Sequence, residues 1–322
     1  MSAGFSDESV VSSLGRLPVE ATASAGGKGA SLSRMSQAGL PVPPGFVVCA
    51  SAFGTFLNYY GGVEILRSLT RDLDVQDNGA LEAASARMRD LIVSNPLPTD
   101  LSARVRTAYH QLGVDLPVAI RSSAVSEDGE AASFAGQQDT FLNTRGIDAV
   151  LDRLKLCWAS FFASRALFYR SQKGALDDTR IAVVVQEMVQ ADKSGVMFTM
   201  DPVQKLTDRL VIEAVFGLGE GIVSGLITPD HYVVGRDDGA LLREFIASQE
   251  TAVVYDGENG GTRQARLSKA EGSARVLSGA ELSGLRELGL RLETFFGGPQ
   301  DVEWCIREGD LRLLQSRPIT TL

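Results

Sequence analysis

The sequence predicts an α+β fold in two parts, a helix-rich first half and a strand-rich second half. Three observations predict it. Residues 80–112 and 147–170 carry apolar side chains at helical spacing. Five short apolar runs between 181 and 257 are bounded by Gly, Asp or Pro, as strands are. A chain of 322 residues that is 44% hydrophobic can bury a sizeable core and has room for about two domains. The change of character places the expected boundary between 1–178 and 179–322.

In chain order, "GGKGASLSRMSQAGLPVPPGFVV" (26–48) reads as a glycine turn, a short helix ending near Gly39, and a Pro-rich entry into a strand. Two helices separated by "NPLP" fill 80–112. "LPVAIRSSA" (116–124) is a short apolar strand that ends on Arg121, and a loop of small and polar residues follows. Val150, Leu151, Leu154, Trp158, Phe161 and Phe168 then mark one long helical segment. Strands are expected at 181–189, 195–202, 209–217, 231–235 and 252–257. One helix, 279–296, precedes a closing hairpin in "DVEWCIREGDLRLLQSRPIT" (301–320).

Composition excludes several classes. The net charge is −9 and no Lys/Arg block stands out, so a nucleic-acid or anionic-membrane surface is not expected. Cys49, Cys157 and Cys305 lie far apart, without metal-like spacing, and fit buried thiols of a reducing compartment. The first residues carry no signal-peptide pattern and no apolar run reaches the roughly 18 residues of a membrane span, so a cytoplasmic protein is expected. The two histidines, His110 and His231, suit structural roles, and no Ser–His or Cys–His constellation points to a hydrolase.

Five stretches can carry chemistry. In the closing hairpin a three-residue loop, Glu308-Gly309-Asp310, would pair Arg307 with Leu311, Cys305 with Leu313, Glu303 with Gln315 and Asp301 with Arg317. Alternation then puts Asp301, Glu303, Gln315 and Arg317 on one face and Val302, Trp304, Ile306 and Leu314 on the core face. Two carboxylates and an amide oxygen are hard ligands suited to Mg²⁺, and Arg317 adds a fork for phosphate. A solvated face with an Asp–Arg pair is equally compatible with the pattern.

In "SAGGKGASL" (24–32) Lys28 sits among glycines at a helix start, where free N–H groups favour an anion; the stretch is not a Walker A loop. "AIRSSAVSEDGEAASFAGQQDTF" (119–141) joins Arg121 to a long loop that suits a lid over phosphates or a plain surface loop. "VVVQEMV" (183–189) is a core strand whose polar end could meet an adenine. "EAVFGLGEGIVSG" (213–225) fails the dinucleotide fingerprint, but its turn could bring Glu213 to a ligand.

Taken in order, "GGKGASL", "AIRSSA…ASFAGQQDTFLN", "VVVQEMV…SGVMFTMDP", "GLGEGIVSG…TPDHY" and "QDVEWCIREGDLRLLQSRPIT" resemble the nucleotide-binding domain of the phosphoenolpyruvate synthase / pyruvate phosphate dikinase family. "SFAGQQDTFLN", "CWASFFASRALFYR" and "PQDVEW…QSRPITTL" are most similar to its rifamycin phosphotransferase and phosphoenolpyruvate synthase branches. The resemblance implies an ATP-grasp-like fold of two mixed α/β subdomains with ATP bound between them. It implies that Lys28 and Arg121 hold ATP phosphates and that the loop through Gly136 and Thr140 covers them. Gln186, Glu187 and Val189 would line the adenine pocket and Glu213 would lie near the ribose. Asp301, Glu303 and Gln315 would surround Mg²⁺, with Arg317 on the phosphates.

Members of that family phosphorylate a histidine on a swivelling domain, releasing AMP and phosphate and passing a phosphoryl group to an acceptor. The phosphocarrier histidine would lie on a further domain of a longer chain or on a separate subunit, and the small-molecule acceptor would bind elsewhere. A nucleotide-binding regulatory module without chemistry, or an ADP-forming ATP-grasp ligase, are the alternatives.

Overall fold

The computed structural model describes residues 10–18, 20–71, 73–124, 140–176, 178–257 and 260–320. The chain divides into two units, Met1–Gln37 with Pro44–Met188, and Ala38–Pro43 with Val189–Leu322.

The first unit contains β1 (Val11–Ser13), a 3-10 turn (Leu14–Arg16), α1 (Thr22–Gln37), β2 (Gly45–Val48), α2 (Ala50–Tyr59), α3 (Gly62–Thr70), α4 (Asn78–Ser94), α5 (Thr99–Leu112), β3 (Val118–Ala124), β4 (Thr140–Thr144), α6 (Ile147–Ser160), α7 (Ser164–Gln172) and β5 (Ile181–Glu187). Its strands form one sheet in the order β1-β2-β5-β3-β4, with every pair antiparallel. One face carries Phe46, Val185 and Ile120 into a core with Phe53, Met88 and Trp158 from the helices. The opposite face receives α1.

Local sequence explains the helix ends. Asp77 caps α4, accepting from Gly79 N and Ala80 N. Asn95 precedes a proline and leaves the helical region, which stops α4; Pro98 then sits at the N-cap of α5. The long helix expected over 147–170 is two helices. Chain direction changes at Phe161–Ala163, and the two Phe rings close on the buried Arg170 guanidinium, 4.0 and 5.3 Å from their centroids. Strand β3 runs past Arg121 to Ala124. A boundary after residue 178 would assign β5 to the second unit. It belongs to the first, because β5 is a central strand there, paired with β2 on one side and β3 on the other.

The second unit contains β6 (Lys193–Phe198), β7 (Arg209–Phe216), α8 (Glu220–Val223), β8 (Asp230–Gly235), β9 (Leu241–Phe245), β10 (Thr251–Tyr255), β11 (Thr262–Arg266), α9 (Lys269–Gly272), α10 (Gly279–Phe296), β12 (Gln300–Arg307) and β13 (Asp310–Pro318). A six-stranded antiparallel sheet runs β13-β12-β6-β7-β8-β9, and β10-β11 is a separate hairpin. Edge strand β9 gives no alternation signal because all five of its residues are exposed.

Helix α10 covers one face of this sheet. Ser278 and Glu281 form a capping box at its start, and Gly297 ends it in the left-handed conformation. Glu281 also takes the Lys193 ammonium at 2.8 Å, which ties the helix start to β6. Gly289 lets α10 approach Met197 and Leu210. All three cysteines are buried and none forms a disulfide; burial pushes the Cys49 thiol up to about 11. Among the described residues no helix is long and apolar enough to cross a membrane.

Two glycines of this unit should respond oppositely to alanine. A Cβ on Gly195 would collide with Glu213 O and with the Trp304 ring that crosses over it. Gly195→Ala should therefore destabilise the protein by about 1–3 kcal/mol or more in urea unfolding. Gly284 in α10 has open space around its Cβ position, and Gly284→Ala should stabilise by about 0.5–1 kcal/mol. Equal effects of the two would contradict this packing.

Candidate functional site

The closing hairpin turns more tightly than the three-residue loop expected. Arg307 pairs with Asp310, and Glu308 and Gly309 take φ of 53° and 84°, the left-handed pair that a two-residue type I′ turn requires. That turn alone would shift every pairing by one residue. A bulge between Glu303 and Trp304 absorbs the shift, so Glu303 still faces Gln315 and Asp301 still faces Arg317. Nearer the turn the expected partners change: Cys305 faces Arg312 and Trp304 faces Leu313. Leu313 is the fully buried side chain, and the core role expected of Leu314 passes to it.

Alternation carries these residues to the sheet face opposite α10. Across the strands one register row reads Gln315, Glu303, Val196, Glu213 and His231, and the next reads Arg317, Asp301, Phe198 and Val211. Glu213 thus shares a row with Glu303 and Gln315, which no local motif announces. Arg317 grips Asp301: Nε donates to Oδ2 at 2.8 Å and Nη2 lies 2.8 Å from the same oxygen. Burial pushes the Asp301 carboxyl above its ordinary value, Arg317 opposes that, and Glu303 adds to it. His231, at the end of the row, places its Nδ1 3.6 Å from Glu213 Oε1.

In the first unit the residues expected at the phosphates also meet. Helix α1 is broken at Gly26, whose φ is 68°, so Lys28 stands in the first turn of the helical run that follows. Lys28 Nζ donates to Ser122 O at 3.0 Å, the carbonyl next to Arg121. Arg121 is the register partner of Thr140 on β4 and of Val184 on β5. Ser123 fastens the glycine turn to β3: its Oγ accepts from Gly29 N at 3.0 Å and donates to Ala25 O at 2.8 Å. Its only sequence signal is its place after Arg121.

Gln186 is buried on that same α1 face, flanked in register by the two small residues Gly45 and Ala119. Glu187 points the other way by alternation, and its N–H is bonded to Pro44 O. Val189 falls in the second unit, where its carbonyl accepts from Ala191 N. Gly136, with Gln137 and Gln138, lies outside the described residues.

The donor set on the second sheet fits a hard divalent cation. Glu303 and Gln315 are adjacent across β12 and β13, and Asp301 offers Oδ1 outside its pair with Arg317. No group of three or more His, Cys, Asp or Glu side chains is gathered for a metal among the described residues. Mg²⁺ needs no such cage, because it takes one or two carboxylates and fills its shell with phosphate oxygens and water.

The sequence profile of the pyruvate phosphate dikinase AMP/ATP-binding domain matches residues 22–322. A probable phosphoenolpyruvate synthase of Methanothermobacter thermautotrophicus is 46% identical over 305 residues, which is 92% of this chain and 44% of that protein. One from Methanocaldococcus jannaschii is 45% identical over 92% of this chain and 26% of its own length. A rifampicin phosphotransferase of Bacillus subtilis is 38% identical over 92% of this chain and 34% of its own length. The chain therefore spans less than half of these relatives. A D-alanine–D-alanine ligase from Helicobacter pylori overlays 73% of the chain and 52% of its own at 11% identity and a TM-score of 0.28, a likeness too slight to bear on function.

The glycine turn beneath Lys28 has no room for a side chain. A Cβ on Gly26 would overlap Ser123, at a φ that L-residues avoid. Gly26→Ala should cost about 2–4 kcal/mol in urea unfolding. A loss below about 0.5 kcal/mol, the range of an ordinary surface change, would show that Ser123 does not clamp the turn.

Proposed function

The chain belongs to the pyruvate phosphate dikinase AMP/ATP-binding domain family, and on that premise we propose that it is the ATP-binding catalytic module of a dikinase-type phosphotransferase. It binds Mg·ATP and phosphorylates a histidine on a separate swivelling domain, with AMP, phosphate and a phosphorylated acceptor as the products of the complete cycle. The observation that carries this reading is the hairpin register: a bulge keeps Glu303 beside Gln315 and Asp301 beside Arg317 although the turn is one residue shorter than those pairings alone require.

Each residue has a defined task. Lys28 and Arg121 bind the polyphosphate oxygens, and Thr140, the partner of Arg121 on β4, joins them, with Gly136 in the segment between. Gln186 meets the adenine with its side chain; Glu187 and Val189 contribute through their backbones. Glu213 contacts the ribose. Glu303, Gln315 and Asp301 would hold Mg²⁺, Asp301 being paired with Arg317 through Oδ2. Arg317, oriented by that pair, neutralises charge on the phosphates. A bound Mg²⁺ supplies charge neutralisation and in-line geometry, which is most of what phosphoryl transfer asks of a protein. The relatives named for phosphoenolpyruvate synthesis and for rifampicin phosphorylation match the same region, which supports an acceptor, pyruvate-like or rifamycin-like, chosen outside this module.

The test follows both the β- and the γ-phosphate of labelled ATP, with Mg²⁺ and a histidine domain from a relative supplied in trans. Label should reach the histidine and AMP should be released. ADP as the nucleotide product would favour a ligase, and ATP binding without transfer a regulatory module. Glu303→Ala and Gln315→Ala should each slow transfer by about a hundredfold or more. Wild-type turnover in either would remove the metal assignment. Lys28→Ala should weaken ATP binding on the order of tenfold, the loss of one charged hydrogen bond.

A further inference from the structure

His231 follows a carboxylate that the fold buries completely. Asp230 is 0% exposed; its Oδ2 accepts from the Tyr232 hydroxyl at 2.7 Å and Val276 N at 2.9 Å, and its Oδ1 from Ala247 N at 3.0 Å and Gln249 Nε2 at 3.5 Å. Gln249 returns to β7, where its Oε1 accepts from Phe216 N and its Nε2 donates to Ala214 O. Asp230 and Ala214 are register partners, as are His231 and Glu213 one residue on. Anchoring Asp230 in the core therefore turns His231 to the opposite face beside Glu213, in the row that ends at Glu303 and Gln315. Both side chains remain about a third open, at 35% and 32%.

We propose that His231 is a positioning residue that holds the Glu213 carboxylate toward the hydroxyls of a bound ribose. The inference rests on the reading of Glu213 as the ribose contact. A glutamate alone on a sheet face has three side-chain torsions to order, and ordering them works against binding. His231 removes much of that freedom, because its backbone is set by the Asp230–Gln249 network. At 3.6 Å the two groups are close but not hydrogen-bonded, and the role requires this contact to shorten when a ribose binds. His231 itself touches no substrate atom in this role.

The test measures binding of ATP and of 2′- and 3′-deoxy-ATP to the chain by calorimetry. Glu213→Gln should weaken ATP more than at least one deoxy analogue. His231→Ala should reproduce that loss of discrimination, with ATP weakened about three- to tenfold, the worth of one hydrogen bond. His231→Asn, which carries an N–H the same number of bonds from Cα as Nδ1, should restore most of the affinity. In a double-mutant cycle the two losses should not add. If Glu213→Gln discriminates and His231→Ala does not, the positioning role alone fails. If Glu213→Gln leaves ATP and both deoxy analogues unchanged, or weakens all three equally, the ribose reading fails and the inference with it. Loss of the ATP preference in His231→Ala without rescue by Asn would also overturn it, since packing would then be the cause.

Discussion

The pairing of β12 with β13 is the constraint on which the second unit's candidate site depends. Side chains on a strand alternate faces, so a slip of one residue would send Gln315 and Arg317 to the face that α10 covers, while Asp301 and Glu303 stayed on the other. The type I′ turn at Glu308-Gly309 sets one register near the loop, and the bulge beside Glu303 sets another beyond it. The two registers serve different ends. The first puts Leu313 and Trp304 into the core, and the second puts Glu303 beside Gln315 and Asp301 beside Arg317.

The first unit solves a similar problem with small residues in place of a bulge. A helix can bring a lysine to a strand end only if its own start lies close to the sheet. Gly26 and Gly29 permit that approach, the first by its positive φ and its contact with Ser123, the second by its packing on Val47 and Val184. The outcome places Lys28, Arg121 and Gln186 on one face of the sheet, away from the aromatic core. The buried Asp230 plays the corresponding part for Glu213 in the second unit. Its carboxylate is satisfied by backbone and side-chain donors, so it fixes β8 without an uncompensated charge. Burial and this carboxylate together push the Tyr232 phenol well up, so the cluster keeps its tyrosine protonated.

Electrostatics on the candidate metal face is balanced differently. Asp301 is held between burial and Glu303, which disfavour its charge, and Arg317, which favours it. A carboxylate held in this way is one whose charged form an added cation would favour, while Arg317 keeps it oriented. The Asp–Arg pair that could have marked a merely solvated hairpin is present, and it lies in the same cluster as the proposed metal donors.

By itself the sequence determined the mixed α+β class, most element positions and the family, because these rest on periodicity, capping and ordered short motifs. "NPLP" between two amphipathic runs is enough to separate α4 from α5, and alternation is enough to put Asp301 and Glu303 on one face of their strand and Gln315 and Arg317 on one face of theirs. Only the tertiary structure decided what depends on partners distant in the chain. It gave β5 to the first unit through pairing with β2 and β3, and it split one expected helix at Phe161–Phe162, around Arg170. It joined Glu213 and His231 to the hairpin row across two strands, and it exchanged Leu314 for Leu313 in the core through a bulge. Local pattern reports which face a side chain takes relative to its neighbours in sequence. Which strand lies alongside, and at what offset, is set by packing between segments, where a single added residue reverses the answer.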